Sequence, residues 1–571
     1  MRGVGSNDVR TREPVAVRSD EPSDPVPGWA SALAGVAAGA VGLGIAQLAA
    51  GLIDGGAFPV VAVGESLIDL SPAPLKEWAI RTFGEDDKTV LVGGVFVVLA
   101  LVSAGLGVLA RHRFAHGAAG FGLFAIAGLL AVLTRPDAAA VDALPTVIGV
   151  AASLWALALL LRRMTRSYVP EPYEEPWDAD GTADGTAGGT ADDTAEGAAA
   201  DGAERPVVMR AGADLRAFDR RALLTGVAGG AVVAGIGGFV GTALAGRKEV
   251  AAARADLTLP APAVPAKPLP PGADLKIKGL APFVTPNADF YRVDTAVLPP
   301  QVDPATWTLK IHGMVDRPIE ITFAELIRRP LIEADVTLTC VSNEVGGPYV
   351  GNARWLGARM ADILRSAGIR SGADMLLSTS ADGWTCGTPV DVVMDGRDAL
   401  FAIAMNGEAL SVDHGFPVRQ VVPGLYGYVS ATKWVTEIKV TRFDQDTAYW
   451  TPRGWSEKGP IKTQSRIDVP QSGASVPAGR TTIAGVAWAQ HRGMDAVEVQ
   501  VDDGDWRLAR LAETPGPDTW RQWSIEADLT KGKHTIAVRA TDATGATQTA
   551  SLAPPAPDGA TGYHTINVQA V

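Results

Sequence analysis

Hydrophobic and polar positions divide this chain into three regimes. In the first, apolar residues run almost unbroken over Trp29–Leu52, Thr89–Ala110, Phe114–Leu133, Leu144–Leu161 and Ala222–Leu244. Each run is about as long as a helix needs to cross a bilayer core, roughly 20 residues. The first and fifth are weakly hydrophobic and Gly-rich. From about Leu275 the runs shorten: Trp307–His312 and Asp335–Cys340 read as strands, and Phe323–Arg329 and Met360–Ala367 as short helices. That mixture predicts an α+β unit rather than alternating βαβ repeats. From about Lys462, β-branched or alternating runs recur at Thr481–Ala489, Ala496–Val501, Trp506–Leu511, Trp520–Leu529, Thr535–Ala540 and His564–Gln569. Turn signals such as Asp503-Gly504 separate them, which predicts an all-β sandwich.

Basic residues orient the apolar runs. Arg2, Arg10, Arg12 and Arg18 precede the first; Arg111 and Arg113 lie between the second and third. Arg162, Arg163 and Arg166 follow the fourth, and Arg216, Arg220 and Arg221 precede the fifth. The loops near Leu70 and Asp137 carry fewer. An excess of Lys and Arg marks the cytoplasmic side, so the expectation is five membrane spans, with the N-terminus inside and everything after Gly246 outside. Buried core helices of a soluble protein are the competing reading, and several charge-flanked runs of this length are hard to hide in one globule.

The net charge of −13 says little about partners, because Tyr168–Glu204 holds eleven acidic residues and no Lys or Arg. Its Gly-Thr-Ala-Asp repeats lack the apolar residues to build a core and predict a disordered linker. Pro260–Pro271 reads as a stiff polyproline spacer. The expected divisions are a four-helix membrane region over 1–166, an acidic linker over 167–218, a fifth span over 219–246 and a spacer over 247–274. An α+β domain over 275–460 and a β domain over 461–571 complete the chain. Asp219-Arg220-Arg221-Ala-Leu223-Leu224 at the head of the fifth span resembles a twin-arginine export signal; positive-inside anchoring would also place arginines here.

Several function classes find no support. There is no basic patch with interleaved aromatics to suggest nucleic acid, no Gly-x-Gly-x-x-Gly, no P-loop and no Cys-x-x-Cys-His. The histidines ahead of the linker, His112 and His116, sit in a loop, and nothing in the sequence marks a quinone site.

The chemistry concentrates in a few separated motifs. Thr337-Leu-Thr-Cys340-Val-Ser-Asn343-Glu344-Val345-Gly-Gly puts a cysteine at the end of a strand, at the mouth of a Gly-rich loop. Asn352-Ala-Arg354-Trp355 follows, then Asp413-His414-Gly-Phe-Pro-Val-Arg419 and Lys433-Trp434. Asn287-Ala-Asp-Phe290-Tyr291-Arg292 precedes them. This ordered set resembles the sulfite oxidase family of molybdopterin oxidoreductases over about residues 275–571. The resemblance implies a molybdenum–molybdopterin cofactor with Cys340 as its thiolate ligand, a soft donor suited to such a metal. It implies Asn287, Phe290, Tyr291, Asp382, His414, Arg419 and Lys433 around the pterin, with Arg able to bind phosphate oxygens in bidentate fashion. Arg292 is expected to face substrate, and Arg492, on a loop of the last domain, to point toward the metal. The resemblance also makes the β domain immunoglobulin-like and implies homodimerisation through it.

Two departures bear on the reaction. Sulfite-oxidising members continue Cys-x-x-Asn-Arg-Arg, and here Glu344 and Val345 replace both cations. Coulomb attraction for a sulfite dianion is lost with them, although Arg292 and Arg354 remain. Near Cys386 the family commonly has a tyrosine, and this chain has Cys386-Gly-Thr-Pro. Since a Cys340–Cys386 bridge would remove the metal ligand, Cys386 is expected to be a free thiol near the site. The resulting expectation is a membrane-anchored, extracytoplasmic oxidoreductase that transfers an oxygen atom to or from a small sulfur oxide or sulfoxide. Its electrons would be exchanged with an unidentified partner. The alternatives are a surface module that keeps the fold without metal, and a transporter with an appended domain, for which the spans hold few polar residues.

Overall fold

The structure is a computed structural model, and it describes residues 26–53, 55–83, 86–135, 138–168, 215–245 and 250–571. Arg2, Arg10, Arg12 and Arg18, and the acidic stretch from residue 169, lie outside the described residues.

The N-terminal region is helical: α1 (Gly28–Ile53), α2 (Pro59–Leu70), α3 (Ala73–Phe83), α4 (Asp87–His112), α5 (Phe114–Leu133), α6 (Ala143–Arg163) and α7 (Arg220–Ala245). Five of these, all but α2 and α3, are long and apolar enough to cross a membrane by length and composition. The Gly-rich α1 is the central one, packed against α4, α6 and α7. Its glycines explain why. A Cβ on Gly35 would lie 2.0 Å from the Ser103 carbonyl, and one on Gly51 would lie 2.3 Å from the Gly241 carbonyl. Small residues let helix backbones approach closely, so the glycines of α1 mark a helix–helix interface.

The arginine-bearing helix ends gather on one side. The Arg220 guanidinium lies 5.9 Å from the Trp29 ring centre, and Asp219 caps α7 by accepting from the Ala222 N–H. On that side Thr165–Tyr168 (β1) pairs with Leu215–Phe218 (β2). The opposite ends meet the globular part: Lys88, at the start of α4, pairs with Asp294, and the Tyr449 hydroxyl donates to Asp69 of α2 at 2.6 Å.

After a short helix α8 (Val250–Asp256), two sheets build the α+β unit. Its strands are β3 (Thr308–Gly313), β4 (Ile319–Thr322), β5 (Leu331–Thr339), β6 (Val350–Arg359), β7 (Met375–Ser380), β8 (Thr385–Pro389), β9 (Leu400–Met405), β10 (Glu408–Ala409), β11 (Arg419–Val421) and β12 (Val435–Thr441). One sheet runs β10-β9-β6-β5 with β11 also on β9, and the other β4-β3-β12-β7-β8. The predicted helices appear at Phe323–Leu326 and Met360–Ala367.

The C-terminal part has two further sheets around one core that includes Ile483, Trp523, Val538 and Ile566. The first is β13 (Gln464–Val469), β15 (Gly479–Trp488), β19 (Arg521–Leu529) and β18 (Arg510–Leu511). The second is β14 (Ser475–Val476), β21 (His564–Ala570), β20 (Gly532–Asp542), β16 (Met494–Val501) and β17 (Arg507–Leu508). This unit buttresses β5 directly. Gln490 donates to the Thr337 carbonyl and to Thr339 Oγ1, both at 3.0 Å, and the Trp520 N–H donates to Thr337 Oγ1 at 2.7 Å.

Candidate active site

Cys340 follows β5, and its position is set by the loop that joins β5 to β6. The Cys340 N–H donates to the Tyr349 carbonyl at 3.0 Å, and Asn343 Oδ1 accepts from the Tyr349 N–H at 2.8 Å. Gly347 lies so close to Asn343 that a Cβ there would sit 2.6 Å from its Oδ1. Gly346 has φ +78°, in the left-handed region that glycine enters without steric cost. The loop is thereby folded around Asn343 and Cys340 lines a cavity of about 730 Å³. Burial pushes the Cys340 thiol up.

Phe290, Tyr291, Asp382, His414, Arg419 and Lys433 line the same cavity. His414 sits in a one-turn helix capped by Ser411. Its Nδ1 lies 2.8 Å from Ser411 Oγ and its Nε2 3.0 Å from the Phe290 carbonyl. A carbonyl only accepts, so the bond to Phe290 assigns the proton to Nε2. Burial, with help from the Arg419 charge, pushes the imidazole down to about 4. His414 is therefore a neutral wall of the cavity with both nitrogens engaged, rather than a cationic donor.

Arg419 and Lys433 carry the charge. Arg419 is 5% exposed, with Nη1 donating to the His414 carbonyl at 3.2 Å, while its Nε has no hydrogen-bond partner. Burial pushes it down to about 10. Lys433 is held by Asp294 and by the Asp413 carbonyl, the latter at 2.9 Å, and burial pushes it down to about 8 against the pull of Asp294. Trp434 beside it has φ +49°, an uncommon conformation for a large side chain; its ring is fixed by a bond to the Val412 carbonyl.

Other expected residues fall outside the cavity. Asn287 binds Asn406, the Met405 carbonyl and Glu408, behind the Phe290 segment. Arg292 pairs with Asp294 and Asp413, each at 3.1 Å, and does not line the cavity. Arg354 is locked by two 2.9 Å bonds to Asp335. Arg492 is tied to Asp542 and Thr463 within the C-terminal unit. Cys386 is a free buried thiol, as expected, but its sulfur faces Thr388 at 3.7 Å and does not line the cavity. By contrast, Glu344 and Val345 do line it.

Sequence reasoning missed the roof. Leu75, Lys76, Trp78 and Phe83 of α3, with Lys88 of α4, close the cavity from the N-terminal region. It also missed Asp294. Burial alone would raise this carboxyl, but Lys433, Lys88 and Arg292 around it hold it below the usual carboxylate range. Asp294 lies four residues past Phe290, and nothing local distinguishes it from a surface acid.

Comparison with known proteins decides the family. The family described as "Oxidoreductase molybdopterin binding domain" matches residues 296–450. Sulfite oxidase of Gallus gallus is 29% identical over 321 residues, 48% of this chain and 69% of that protein. The mitochondrial sulfite oxidase of Mus musculus is 32% identical over 294 residues, covering 43% of this chain and 53% of the relative. The uncharacterized oxidoreductase YuiH of Bacillus subtilis is 32% identical over 180 residues, 31% of this chain and 87% of the relative. The chain belongs to the sulfite oxidase family of molybdopterin oxidoreductases. It spans about half the length of the mouse protein.

Membership in the sulfite oxidase family brings molybdenum–molybdopterin as the cofactor. A buried guanidinium with a partnerless Nε is costly unless an anion completes it. Arg419 faces the cavity in that state, so its wall suits the phosphate of a pterin. Cys340 supplies a soft sulfur at the same cavity, and Phe290 and Tyr291 stack at 5.3 Å to give it an aromatic side. The residues present fit the cofactor.

Proposed function

We propose that this member of the sulfite oxidase family is a membrane-anchored, extracytoplasmic enzyme that transfers oxygen to or from a small neutral sulfur oxide, with sulfoxides the leading class. The observation that carries the substrate choice is the fate of the cations. Glu344 and Val345 line the cavity, while Arg292 and Arg354 are each paired with aspartate. An acid in the wall and two neutralised arginines disfavour a dianion. In the roof, Lys88 is paired with Asp294 and Lys76 donates to the Tyr449 hydroxyl, while Leu75, Trp78 and Phe83 offer an apolar surface that suits an uncharged substrate.

In this reading Cys340 ligates molybdenum, Arg419 and Lys433 hold the pterin phosphate, and Phe290, Tyr291, Asp382 and the neutral His414 shape the rest of the cavity. The cofactor supplies the two-electron oxygen-atom transfer. The protein positions the soft ligand, keeps the site dry and sets the charge around it. Removing oxygen from a sulfoxide consumes two electrons and two protons and releases water.

The five apolar helices act as spans, with the arginine-bearing ends of α4, α6 and α7 on the cytoplasmic side and the α+β unit outside. Arg220-Arg221 directs twin-arginine export of the folded, loaded domain. The C-terminal sheets form an immunoglobulin-like domain over 461–571 that mediates dimerisation, after the α+β domain over 275–460. The test is a comparative assay with reduced viologen and sulfoxides against sulfite and an electron acceptor. Sulfoxide turnover far above sulfite turnover supports the reading, and the reverse order defeats it.

A further inference from the structure

A second cavity, of about 1320 Å³, lies between the helical bundle and the α+β unit. Its lower part is walled by Gly44 and Gln47 of α1, Ala234 and Gly238 of α7, and Phe96 of α4. These positions lie between the middle of their helices and the ends that meet the α+β unit. Its upper part is polar: Glu65 and Arg135 stand 3.5 Å apart, with Asp69 and Asp142 also in the wall. Thr295, Asp382 and Trp384 line both this cavity and the one that holds Cys340. One layer of side chains therefore separates the two.

A ligand shaped for this space has an apolar tail that lies among the long apolar helices and a polar head at a carboxylate–guanidinium pair. The volume exceeds what a small polar ligand needs. We infer that the cavity binds a membrane quinol, with its ring at Glu65 and Arg135 and its isoprenoid tail along α1 and α7, as the electron partner of the Cys340 site. The inference rests on the proposed reaction and on the reading of the helices as spans. Arg135 can donate to a quinone oxygen, and the Glu65 carboxylate can accept from a hydroquinone O–H. The electron count closes. A quinol oxidised to quinone releases two electrons and two protons, and a sulfoxide reduced to a sulfide takes up both and releases water. Electrons leave the ring past Trp384 and Asp382, the residues common to the two cavities.

Gly238 provides a clean test. A Cβ there meets nothing within 4 Å, and the residue lines the cavity, so Gly238→Leu fills the space without disturbing helix packing. Gly235 also has open space and does not line the cavity, which makes Gly235→Leu the matched control. Purified full-length protein in nanodiscs is titrated with short-tailed menaquinone and with decyl-benzoquinone, and tryptophan quenching is followed. A photoreactive analogue maps the position. Saturable binding of either quinone, cross-linked to α1, α7 or Thr295–Val302, weakened about tenfold or more by Gly238→Leu and unchanged in Gly235→Leu, is the expected result. Absence of saturable binding, equal binding in both variants, or a bound phospholipid that neither quinone displaces would overturn the inference. Binding is repeated in Cys340→Ser, since it does not require the metal. Viologen-driven sulfoxide reduction without quinone binding removes this inference alone, and quinone binding without that turnover removes the proposed reaction alone.

Discussion

The Arg419 guanidinium lies 5.0 Å from the Trp355 ring centre, and among the described residues no carboxylate pairs with it. A cation stacked on an indole gains some stabilisation, yet less than full hydration would give. Arg419→Met should therefore leave cofactor-free protein as stable as the parent or more so, because a buried charge is exchanged for apolar volume. The same variant should lose its molybdopterin. Thermal unfolding of cofactor-free protein and pterin content after native expression check the two halves separately.

Asp294 joins three segments, binding Lys433 and Arg292 of the α+β unit and Lys88 of α4. Asp294→Asn leaves two largely buried ammonium groups without their counter-charge. The expected cost is about 3–5 kcal/mol, read as a lower unfolding temperature. Loosened contact between α4 and the cavity should appear as faster proteolysis near Lys88.

His414 makes stability depend on pH with a definite sign. Its folded value is lowered to about 4, against an ordinary 6.5. Above the ordinary value both states are neutral and nothing is lost. As pH falls through that value the unfolded chain binds a proton that the folded chain refuses until near pH 4, so stability declines across this window. The decline is at most about 3 kcal/mol. Cofactor-free His414→Gln should show a shallower acid slope between pH 6.5 and 4, measured by denaturant unfolding in detergent.

The α1–α4 contact predicts its own failure. A Cβ on Gly107 would lie 2.1 Å from the Ser31 carbonyl, so Gly107→Leu must push two backbones apart. Overpacking of this kind costs about 1–3 kcal/mol or more. The expected result is less folded protein recovered on expression, with Gly122→Leu, where a Cβ has open space, recovered normally.

Much of this was legible in the sequence because it depends on local pattern. The helix Met360–Ala367 and the strands around Cys340 and in the C-terminal sheets follow from periodicity and turn residues alone. Phe290, Tyr291, His414, Arg419 and Lys433, which stand in separate motifs, line one cavity with Cys340. What could not be read was which cations are already spent. Arg292, Arg354 and Arg492 look available in the chain, and each is taken by an aspartate whose position is fixed only by tertiary packing. The α2–α3 segment was likewise opaque. It is too short and too polar to announce a span, and its role over the cavity arises from where the bundle docks.

The most direct test is molybdenum content and the molybdenum X-ray absorption edge of protein purified from its native host, wild type beside Cys340→Ser. Stoichiometric molybdenum is expected in the wild type. In the variant, one molybdenum–sulfur contact should be lost, or the metal itself. Well-folded wild-type protein without molybdenum, or a variant whose metal content and sulfur coordination match the wild type, would contradict it.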